Sequence, residues 1–292
     1  MLTLTTVDLQ YARWVAVRAA EGAGRLMRDR ACRGGAVAVR RKDASGDVVS
    51  ELDLAAERLI VDELHAAFPG HRVIAEEGGT SGADDGRWTW LVDPLDGTNN
   101  LAIGLPAYVV GIALCQDRRP VVGVVHDPVC GQTWSAVRGD GIRLGDFPAP
   151  ARRPRLGGPP VLAWTQGHTV PRDDPAARSL KLVLESAARR VLQLWAPLLS
   201  WVMLARGDID GIVGYEPESL DQPAGLLLAR EAGIVIRRLD GTDFDDRFDV
   251  GPAGRSFVAG PAESVERLVK LATAAQWIEA DVRRLNIPDL SS

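Results

Sequence analysis

The sequence predicts an α/β protein in which helices cover layered sheets. Two helical segments come first, and several short β-branched runs joined by turn signals follow within residues 73–144. The second half alternates strands with helices, a pattern that places helices on both faces of a sheet. With 292 residues, 46% hydrophobic and 25% charged, the chain is long enough for one large core or two modest cores.

The first two elements are predicted to be amphipathic helices. Over residues 7–31, apolar side chains recur near helical spacing with Arg and Glu between them. The next helix follows Ser50 as its N-cap, has Asp53 in its first turn, and ends before Pro69-Gly70. Both helices need a sheet to cover.

That sheet is predicted from short runs rich in β-branched residues. We expect strands at 73–77, 88–94, 107–116 and 120–129, with "QDRRP" as a hairpin turn between the last two, and further strands through 132–144. Because Pro94 cannot donate a backbone hydrogen bond, we expect the second of these strands to stop there.

The second half supplies the remaining elements. We expect strands at 160–165, 190–194 and 210–214, and helices at 175–189 and 197–206. A helix over 221–232 should end at Gly233 as its C-cap. A strand and turn in "IVIRRLDGTDF", a strand "FVAG" and a helix over 261–285 complete the chain.

Composition and charge argue against several classes of function. The net charge of −5 gives no broad basic surface, so we expect no nucleic-acid partner. The first residues lack the pattern of a signal peptide, and no run of about eighteen apolar residues predicts a membrane span. Three cysteines without metal-ligand spacing fit a reducing compartment, and we expect a cytoplasmic protein.

Two carboxylates stand together at the end of a predicted strand, in "WLVDPLDGTNN" at residues 90–100. Like charges at this spacing disfavour each other's ionised form, so Asp93 and Asp96 indicate a cation. With the Leu95 carbonyl, they could supply part of one or two octahedral Mg²⁺ shells. An acidic turn without metal is the alternative, because Asp-Gly turns are common. An EF-hand loop is excluded, because its twelfth position holds Gly104 instead of Glu.

Three further acidic segments lie beside turns or element ends: Asp47 in "GDVVSELD", Glu76 and Glu77 in "IAEEGG", and Asp221 in "ESLDQPAG". In "KDASGDVVSELD", "AEEGG" and "WLVDPLDGTNN", taken in order, the chain resembles the inositol monophosphatase family of Mg²⁺-dependent, typically lithium-sensitive phosphatases. The match continues through "GVVHDPV", "GDGIRL", "LDQPAGLLLAREAG" and "LDGTDF", so it covers roughly residues 40–260.

The resemblance implies an architecture as well as an activity. It implies a layered α/β/α/β/α sandwich of the inositol monophosphatase and sugar phosphatase type, and a homodimer. The single catalytic unit, 1–292, would have an N-terminal subdomain, 1–150, with most metal ligands. Its C-terminal subdomain, 151–292, would carry Asp221 and the loops that set substrate specificity.

The resemblance also implies site residues. Two or three Mg²⁺ ions would be bound by Glu76, Asp93, the Leu95 carbonyl, Asp96 and Asp221, with Asp93 bridging two ions. Thr98, oriented by Asp47, would position or deprotonate a metal-bound water.

Two smaller expectations concern residues around these ligands. Gly97 and Thr98 begin "DGTNN", a short helix whose free N–H groups suit a phosphate. The histidines fall outside the family's active-site motifs, so we expect each to be a surface or packing residue: His65, His71, His126 and His168.

The chain departs from the family where the organic part of the substrate binds. Trp195 stands at a family Gly position, Pro197 at a small one, and Glu218-Ser219-Leu220-Asp221 replaces a motif resembling Lys-Pro-Trp-Asp. A bulky indole is hard to reconcile with myo-inositol phosphate. Trp195 either stacks on a flat substrate face or packs in the core, and its apolar neighbours favour the core. The candidate substrate contacts are Gly97, Thr98, Trp195, Ala196, Glu216 and Asp221.

The leading hypothesis is a Mg²⁺-dependent phosphatase acting on a small phosphorylated metabolite, such as an inositol or sugar phosphate. The same chemistry on a nucleoside bisphosphate, fructose bisphosphate or histidinol phosphate is a second hypothesis. A non-catalytic binder of a phosphorylated ligand is a third.

Overall fold

The computed structural model describes residues 7–32, 39–41, 48–83, 86–153 and 157–285. Within these ranges the chain forms two large sheets, one separate strand pair and seven α-helices. The strand pair joins β1 (Val39–Arg41) to β2 (Val48–Ser50) in antiparallel register.

The first sheet has eight strands, and most neighbours are antiparallel. Its strands are β3 (Arg72–Ala75), β4 (Gly79–Gly82), β5 (Trp88–Asp96), β6 (Val109–Gln116), β7 (Arg119–Asp127), β8 (Gln132–Val137), β9 (Ile142–Leu144) and β10 (Phe147–Pro148). The order is β10-β9-β8-β7-β6-β5-β3-β4, and the β3–β5 pair is the parallel one. The predicted meander is confirmed, whereas β4 and β10 had no sequence signal.

The second sheet has five strands and lies later in the chain. It consists of β11 (Val161–Gln166), β12 (Arg190–Leu192), β13 (Gly211–Tyr215), β14 (Val235–Arg237) and β15 (Phe257–Gly260). The order is β12-β11-β13-β15-β14, with β11 parallel to both of its neighbours and β15 antiparallel to both of its own.

The helices connect and cover these sheets. They are α1 (Leu9–Cys32), α2 (Glu51–Ala67), α3 (Thr98–Ala102), α4 (Pro175–Ala187), α5 (Pro197–Arg206), α6 (Pro223–Glu231) and α7 (Ala262–Arg283), with a short 3-10 turn at Pro252–Arg255. Every helix of more than five residues was predicted to within a few residues of its observed bounds.

The central strands of the first sheet are buried on both faces. Because successive strand residues point to opposite faces, neighbouring residues of β5 enter different cores. Val92 packs with Ala16 of α1 and Ile60 of α2, whereas Leu91 packs with α5 and α6. Sequence alternation is therefore absent from β5, whose nine residues are all buried.

The second sheet is covered in the same way. Ala163 of β11 faces a core that includes Trp201 of α5 and Leu226 of α6. On the opposite face, Leu162 packs in a core with side chains of α4 and α7. Helices α5 and α6 thus lie between the two sheets, which confirms the predicted α/β/α/β/α order of layers.

Pro94 does not end its strand, contrary to expectation. Strand β5 continues to Asp96, and its register against β6 shifts between Asp93, opposite Gly111, and Asp96, opposite Val109. A bulge of this kind places the residue without an N–H where no ladder bond is required. Both acids consequently belong to the strand.

Two features are absent from the described part of the chain. No helix there combines the length and apolar character needed to cross a membrane. The two cysteines whose side chains are described, buried Cys115 and exposed Cys130, are free thiols.

Candidate active site

One cavity of about 670 Å³ brings together most of the predicted site residues. It lies at the end of β5, next to the starts of α5 and α6 and beside β11. Its size is within the roughly 300–1,000 Å³ range of small-molecule sites. The predicted residues that line it are Glu76, Asp93, Leu95, Asp96, Gly97, Thr98, Trp195, Ala196 and Asp221.

Four of these residues are carboxylates that perturb one another. Asp93 and Asp96 are buried. Burial, followed by the charges of Glu76, Asp96 and Asp221, raises the pKa of Asp93 well above its usual value. Burial and then Asp221 raise the pKa of Asp96, against hydrogen bonds from the α5 backbone that lower it. These acids can all be ionised only with positive charge among them.

The turn at Pro94 orients the first aspartate. The Leu95 N–H donates a hydrogen bond to Asp93 Oδ1 at 3.1 Å, which closes an Asx turn around the proline. Glu76 also hydrogen-bonds the Asp93 carboxyl group. The bulge in β5 therefore presents the Asp93 carboxyl group to Glu76 of the segment that follows β3.

Asp96 is held by the start of α5. Pro197 has no backbone N–H, and the next one, that of Leu198, donates to Asp96 Oδ2 at 2.7 Å. The carboxylate caps a helix whose own N-cap residue, Ala196, has no polar side chain. This bond fixes the end of β5 to the loop that carries Trp195.

Thr98 is paired with a carboxylate of α2. Its Oγ1 lies 2.6 Å from Asp53 Oδ1 and 3.0 Å from the Leu95 carbonyl oxygen. Asp53 is fully buried, and its Oδ2 accepts hydrogen bonds from the Ser50 N–H at 2.9 Å and from the Ser50 hydroxyl. Ser50 and Asp53 form a capping box at the start of α2. One carboxylate therefore starts a helix and also holds the threonine.

Asp53 is the site residue that sequence reasoning missed. Asp47, the predicted partner of Thr98, lies outside the described residues. Both acids belong to "KDASGDVVSELD", and Asp53 was interpreted only as a first-turn residue. The signal was available, because Ser50-x-x-Asp53 has the spacing of a capping box, which directs the acid back toward the start of its helix.

Gly97 permits the turn that leads into α3. Its φ is +105°, and a Cβ there would lie 2.8 Å from the Ala107 carbonyl oxygen. Only glycine fits such a backbone without displacing its neighbours. The predicted short helix is present as α3, Thr98–Ala102, directly after it.

Trp195 lies on the cavity wall, so the expectation that it packs in the core is wrong. Its side chain is 61% exposed and lines the cavity. Its φ is +48°, a left-handed conformation that costs a non-glycine residue about 1–2 kcal/mol. The turn between β12 and α5 has kept the conformation that suits glycine while carrying an indole. Its neighbour Ala196 also lines the cavity but is buried, so an apolar neighbour did not predict the exposure of the indole.

The structure also places Glu216 and His168. Glu216 is not among the residues that line the cavity, and its backbone N–H donates to Ser256 Oγ at 3.0 Å. His168 is exposed, as expected of a surface residue, and it also lines the cavity, which the sequence did not predict. Arg172 and Lys181 also line it, without any motif to predict them.

The donor set fits a hard divalent cation. Four carboxylates and the Leu95 carbonyl present only oxygen, the ligand that Mg²⁺ prefers. As placed in the described part of the chain, no group of three or more Asp, Glu, His or Cys side chains is arranged to hold a metal ion, so the fit lies in the chemistry of the donors. Burial, and then the charges of the neighbouring acids, raise the pKa of Asp93, and a cation would relieve that repulsion.

The fold and the site together define a layered α/β protein with an acid-rich cavity suited to such a cation. The model of the inositol monophosphatase family matches residues 8–276. The chain belongs to that family.

Relatives in the family carry different names. The chain is 30% identical over 261 residues to the Nus factor SuhB of Haemophilus influenzae, covering 87% of this chain and 93% of that protein. It is 34% identical over 220 residues to the inositol-1-monophosphatase of Mesorhizobium japonicum, covering 74% and 79%. The crystal structure of the extragenic suppressor protein suhB from Bartonella henselae superposes with a TM-score of 0.76 at 27% identity, covering 88% and 96%.

Proposed function

We propose that this protein is a Mg²⁺-dependent phosphatase that hydrolyses a small phosphate monoester by attack of an activated water. The observation that carries this proposal is the 2.6 Å contact between Thr98 Oγ1 and Asp53 Oδ1, beside a cavity lined by four carboxylates. A protein that only bound a phosphorylated ligand would need the cavity but not a hydroxyl held by a buried acid. Membership of the family supports the same conclusion.

The cavity acids are the proposed metal ligands. Glu76, Asp93, Asp96, Asp221 and the Leu95 carbonyl would hold two or three Mg²⁺ ions. When bound, the ions would acidify water and neutralise the charge of the phosphate. Asp93 is the proposed shared ligand, because three other carboxylates act on it.

The Thr98 hydroxyl group is the proposed acceptor of the proton from the attacking water. The Thr98 hydroxyl donates to Asp53 Oδ1, which leaves its oxygen lone pairs free to accept a proton from the attacking water. Ser50 holds Asp53 from the other side, so the acceptor stays in position. As water adds to phosphorus, the bond to the ester oxygen breaks, and this oxygen takes up a proton from solvent and leaves as the alcohol. The proton taken from the attacking water stays on Asp53 until it is released to solvent.

The substrate class is proposed only broadly. A small phosphorylated polyol, sugar or related metabolite fits the cavity, whereas the Trp195 indole narrows the space for a myo-inositol ring. Nucleoside bisphosphates, fructose bisphosphate and histidinol phosphate are alternatives with the same chemistry. Glu216 has no supported role in these contacts.

Phosphate release tests the proposal directly. We expect the parent protein to release inorganic phosphate from a panel of phosphorylated inositols, sugars, nucleotides and histidinol phosphate with Mg²⁺, and not with EDTA. Asp93→Asn should be inactive. Asp249→Asn makes the same chemical change outside the cavity, at an ion pair with Arg118, and should keep full activity. Equal release with and without Mg²⁺ would contradict the proposal.

The names of the relatives favour a second candidate. Several are called Nus factor, so a role in transcription of the kind that this name denotes is the alternative to turnover. Complementation of a strain lacking such a factor separates the two. If Asp93→Asn complements as well as the parent, the cellular role does not require the carboxylate site.

The assembly is also a proposal. The family resemblance supports a homodimer of single catalytic units, each with subdomains 1–150 and 151–292, and the cysteine pattern supports a reducing compartment such as the cytoplasm. Light scattering of the purified protein measures the oligomeric state, and cell fractionation measures the location.

A further inference from the structure

The cavity is lined by cations as well as by acids. The carboxylates come from β5, from Glu76 after β3 and from Asp221 before α6, whereas Arg172 and Lys181 come from the segment after β11 and from α4. The carboxylate that acts on Lys181 is Glu185 of its own helix. We call Arg172 and Lys181 the cationic patch and the four acids the carboxylate patch, because the two sets reach the cavity from different segments of the chain.

Lys181 lies against an aromatic ring on the cavity wall. Its Nζ atom lies 5.3 Å from the centroid of the Trp164 ring, a cation–π contact with a buried indole. Within the described part of the chain it forms no ion pair or hydrogen bond. Burial lowers the pKa of Lys181, and Glu185 only partly offsets this. A half-buried ammonium group is costly unless an anion accompanies it.

Arg172 adds a second positive group to the same patch. It lies in the exposed segment before α4, where Asp174 caps the helix by accepting the Ala177 N–H at 2.8 Å. Within the described residues, Arg172 also makes no ion pair. A guanidinium presents a planar fork of N–H groups that matches carboxylate and phosphate oxygens.

We propose that the substrate carries a second anionic group, a phosphate or a carboxylate, which Lys181 and Arg172 bind while the ester phosphate lies at the carboxylate patch. This inference rests on the proposed phosphatase function and names its substrate class. The cavity of about 670 Å³ has room for a metabolite with an anionic group at each end. Trp195 borders the space that such a molecule occupies.

Matched pairs of substrates test this inference. Fructose 1-phosphate and fructose 1,6-bisphosphate differ by one phosphate, and glycerol 3-phosphate and 3-phosphoglycerate differ by one carboxylate in place of an alcohol. With Mg²⁺ present, we expect kcat/KM to be at least about tenfold higher for the doubly anionic member of one pair, since hydrogen bonds between charged groups are the strong ones. The pair that shows the preference identifies the anionic group.

Two variants assign the preference to the cationic patch. Arg172→Gln and Lys181→Met should each raise KM for the doubly anionic substrate about tenfold or more, with kcat little changed. KM for the singly anionic substrate of the pair should stay the same. Arg172 is exposed, so its substitution leaves folding unchanged even if Lys181→Met lowers stability. Arg178→Gln is the matched control, because Arg178 is also on α4 but does not line the cavity. It should change neither KM nor kcat for either substrate.

The outcomes separate this inference from the proposed function. Mg²⁺-dependent release from both members of each pair at equal efficiency would overturn the inference and leave the phosphatase function standing. Equal loss on both members in the two variants would also overturn it, because the cations would then bind the ester phosphate. No Mg²⁺-dependent release from any substrate would contradict the proposed function and this inference with it.

Discussion

The Thr98 hydroxyl oxygen lies 2.6 Å from Asp53 Oδ1, and the other oxygen of the same carboxylate closes the capping box of α2. The start of a helix thereby orients a threonine 45 residues further along the chain. Because Asp53 is fully buried and bonded on both oxygens, the threonine has one preferred orientation. Under the proposed function, activity and helix stability would both depend on the Asp53 side chain, and each dependence can be measured separately.

Asp53→Asn should lower kcat by about 10²-fold or more with a smaller change in KM, because the amide cannot accept the proton that Thr98 passes on. Ser50→Ala is the matched variant: it removes the cap, should cost about 1 kcal/mol of stability, and should affect kcat much less. Steady-state kinetics and thermal unfolding of both variants check this. Equal losses of kcat would assign Asp53 a purely structural role.

Asp93→Asn should leave the metal-free protein at least as stable as the parent. Burial and three neighbouring carboxylates raise the pKa of Asp93, so its negative charge is unfavourable without a cation. The parent should gain thermal stability on addition of Mg²⁺, and this gain should disappear in the variant. Thermal melts in EDTA and in Mg²⁺, with Asp249→Asn as the control that keeps the gain, measure both effects. An identical gain of thermal stability with Mg²⁺ in the parent and in Asp93→Asn would show that Asp93 is not a metal ligand.

Trp195→Gly should not destabilise the protein, although it removes a large aromatic side chain. The indole is 61% exposed, so little burial is lost, and glycine adopts the +48° φ without strain. Trp195→Ala removes the same indole but keeps a Cβ at positive φ, so it should be about 1 kcal/mol less stable than the glycine variant. Chemical denaturation measures this difference, and equal stabilities would show that the backbone there is unstrained.

The same two variants test how the indole affects the substrate. If it narrows the cavity, both should raise activity on inositol phosphate relative to the parent, and to a similar degree. Unchanged phosphate release from inositol phosphate would mean that the indole does not limit access of the ring.

His126 should make stability fall at acidic pH. Its Nδ1 lies 2.9 Å from Thr133 Oγ1, which itself donates to Glu21, so Nδ1 carries the hydrogen and the buried Nε2 has no partner in the described structure. Burial lowers the pKa of His126 from 6.5 to about 4. The unfolded chain therefore binds a proton first as pH falls, and stability is lost between about pH 6.5 and 4.

The difference in unfolding free energy between the parent and His126→Gln isolates this effect. We expect the unfolding free energy of the parent, relative to that of His126→Gln, to fall by up to about 3 kcal/mol from pH 7 to pH 4, because one pKa unit corresponds to about 1.4 kcal/mol. His168→Gln, in an exposed loop, is the control and should follow the parent at every pH. A pH-independent difference would show that His126 is readily protonated in the folded state.

Local signals in the sequence account for much of the fold. Helix α5 was predicted at 197–206 and found at Pro197–Arg206, because Pro at its first position and Gly207 after its last define both ends. Strand β4 was missed, since Gly79–Gly82 has no β-branched or apolar pattern and is exposed throughout. It is a strand because β3 offers an edge with which to pair, and pairing of this kind is not encoded within the segment itself.

Some residues of the site were also predictable from local sequence, whereas others depended on tertiary packing. Asp93, Asp96 and Thr98 belong to one short motif, so a strand, a bulge and a turn suffice to bring them together. Which acid of "KDASGDVVSELD" meets Thr98 depended on how α2 begins against β5, and neighbouring residues cannot specify that. The conformation of Trp195 was equally hidden, because its apolar neighbours predict burial and contain no information on φ.

The sequence by itself determined the layered α/β class, the acids at the end of β5 and the helices that flank them, because each depends on residues close together in the chain. Only the tertiary structure decided that Lys181 and Arg172 would line the same cavity as Asp93. They belong to the second sheet's layers, and α5 and α6 pack between the two sheets. Packing between distant segments depends on the shape and burial of whole layers, and no spacing within one motif records it.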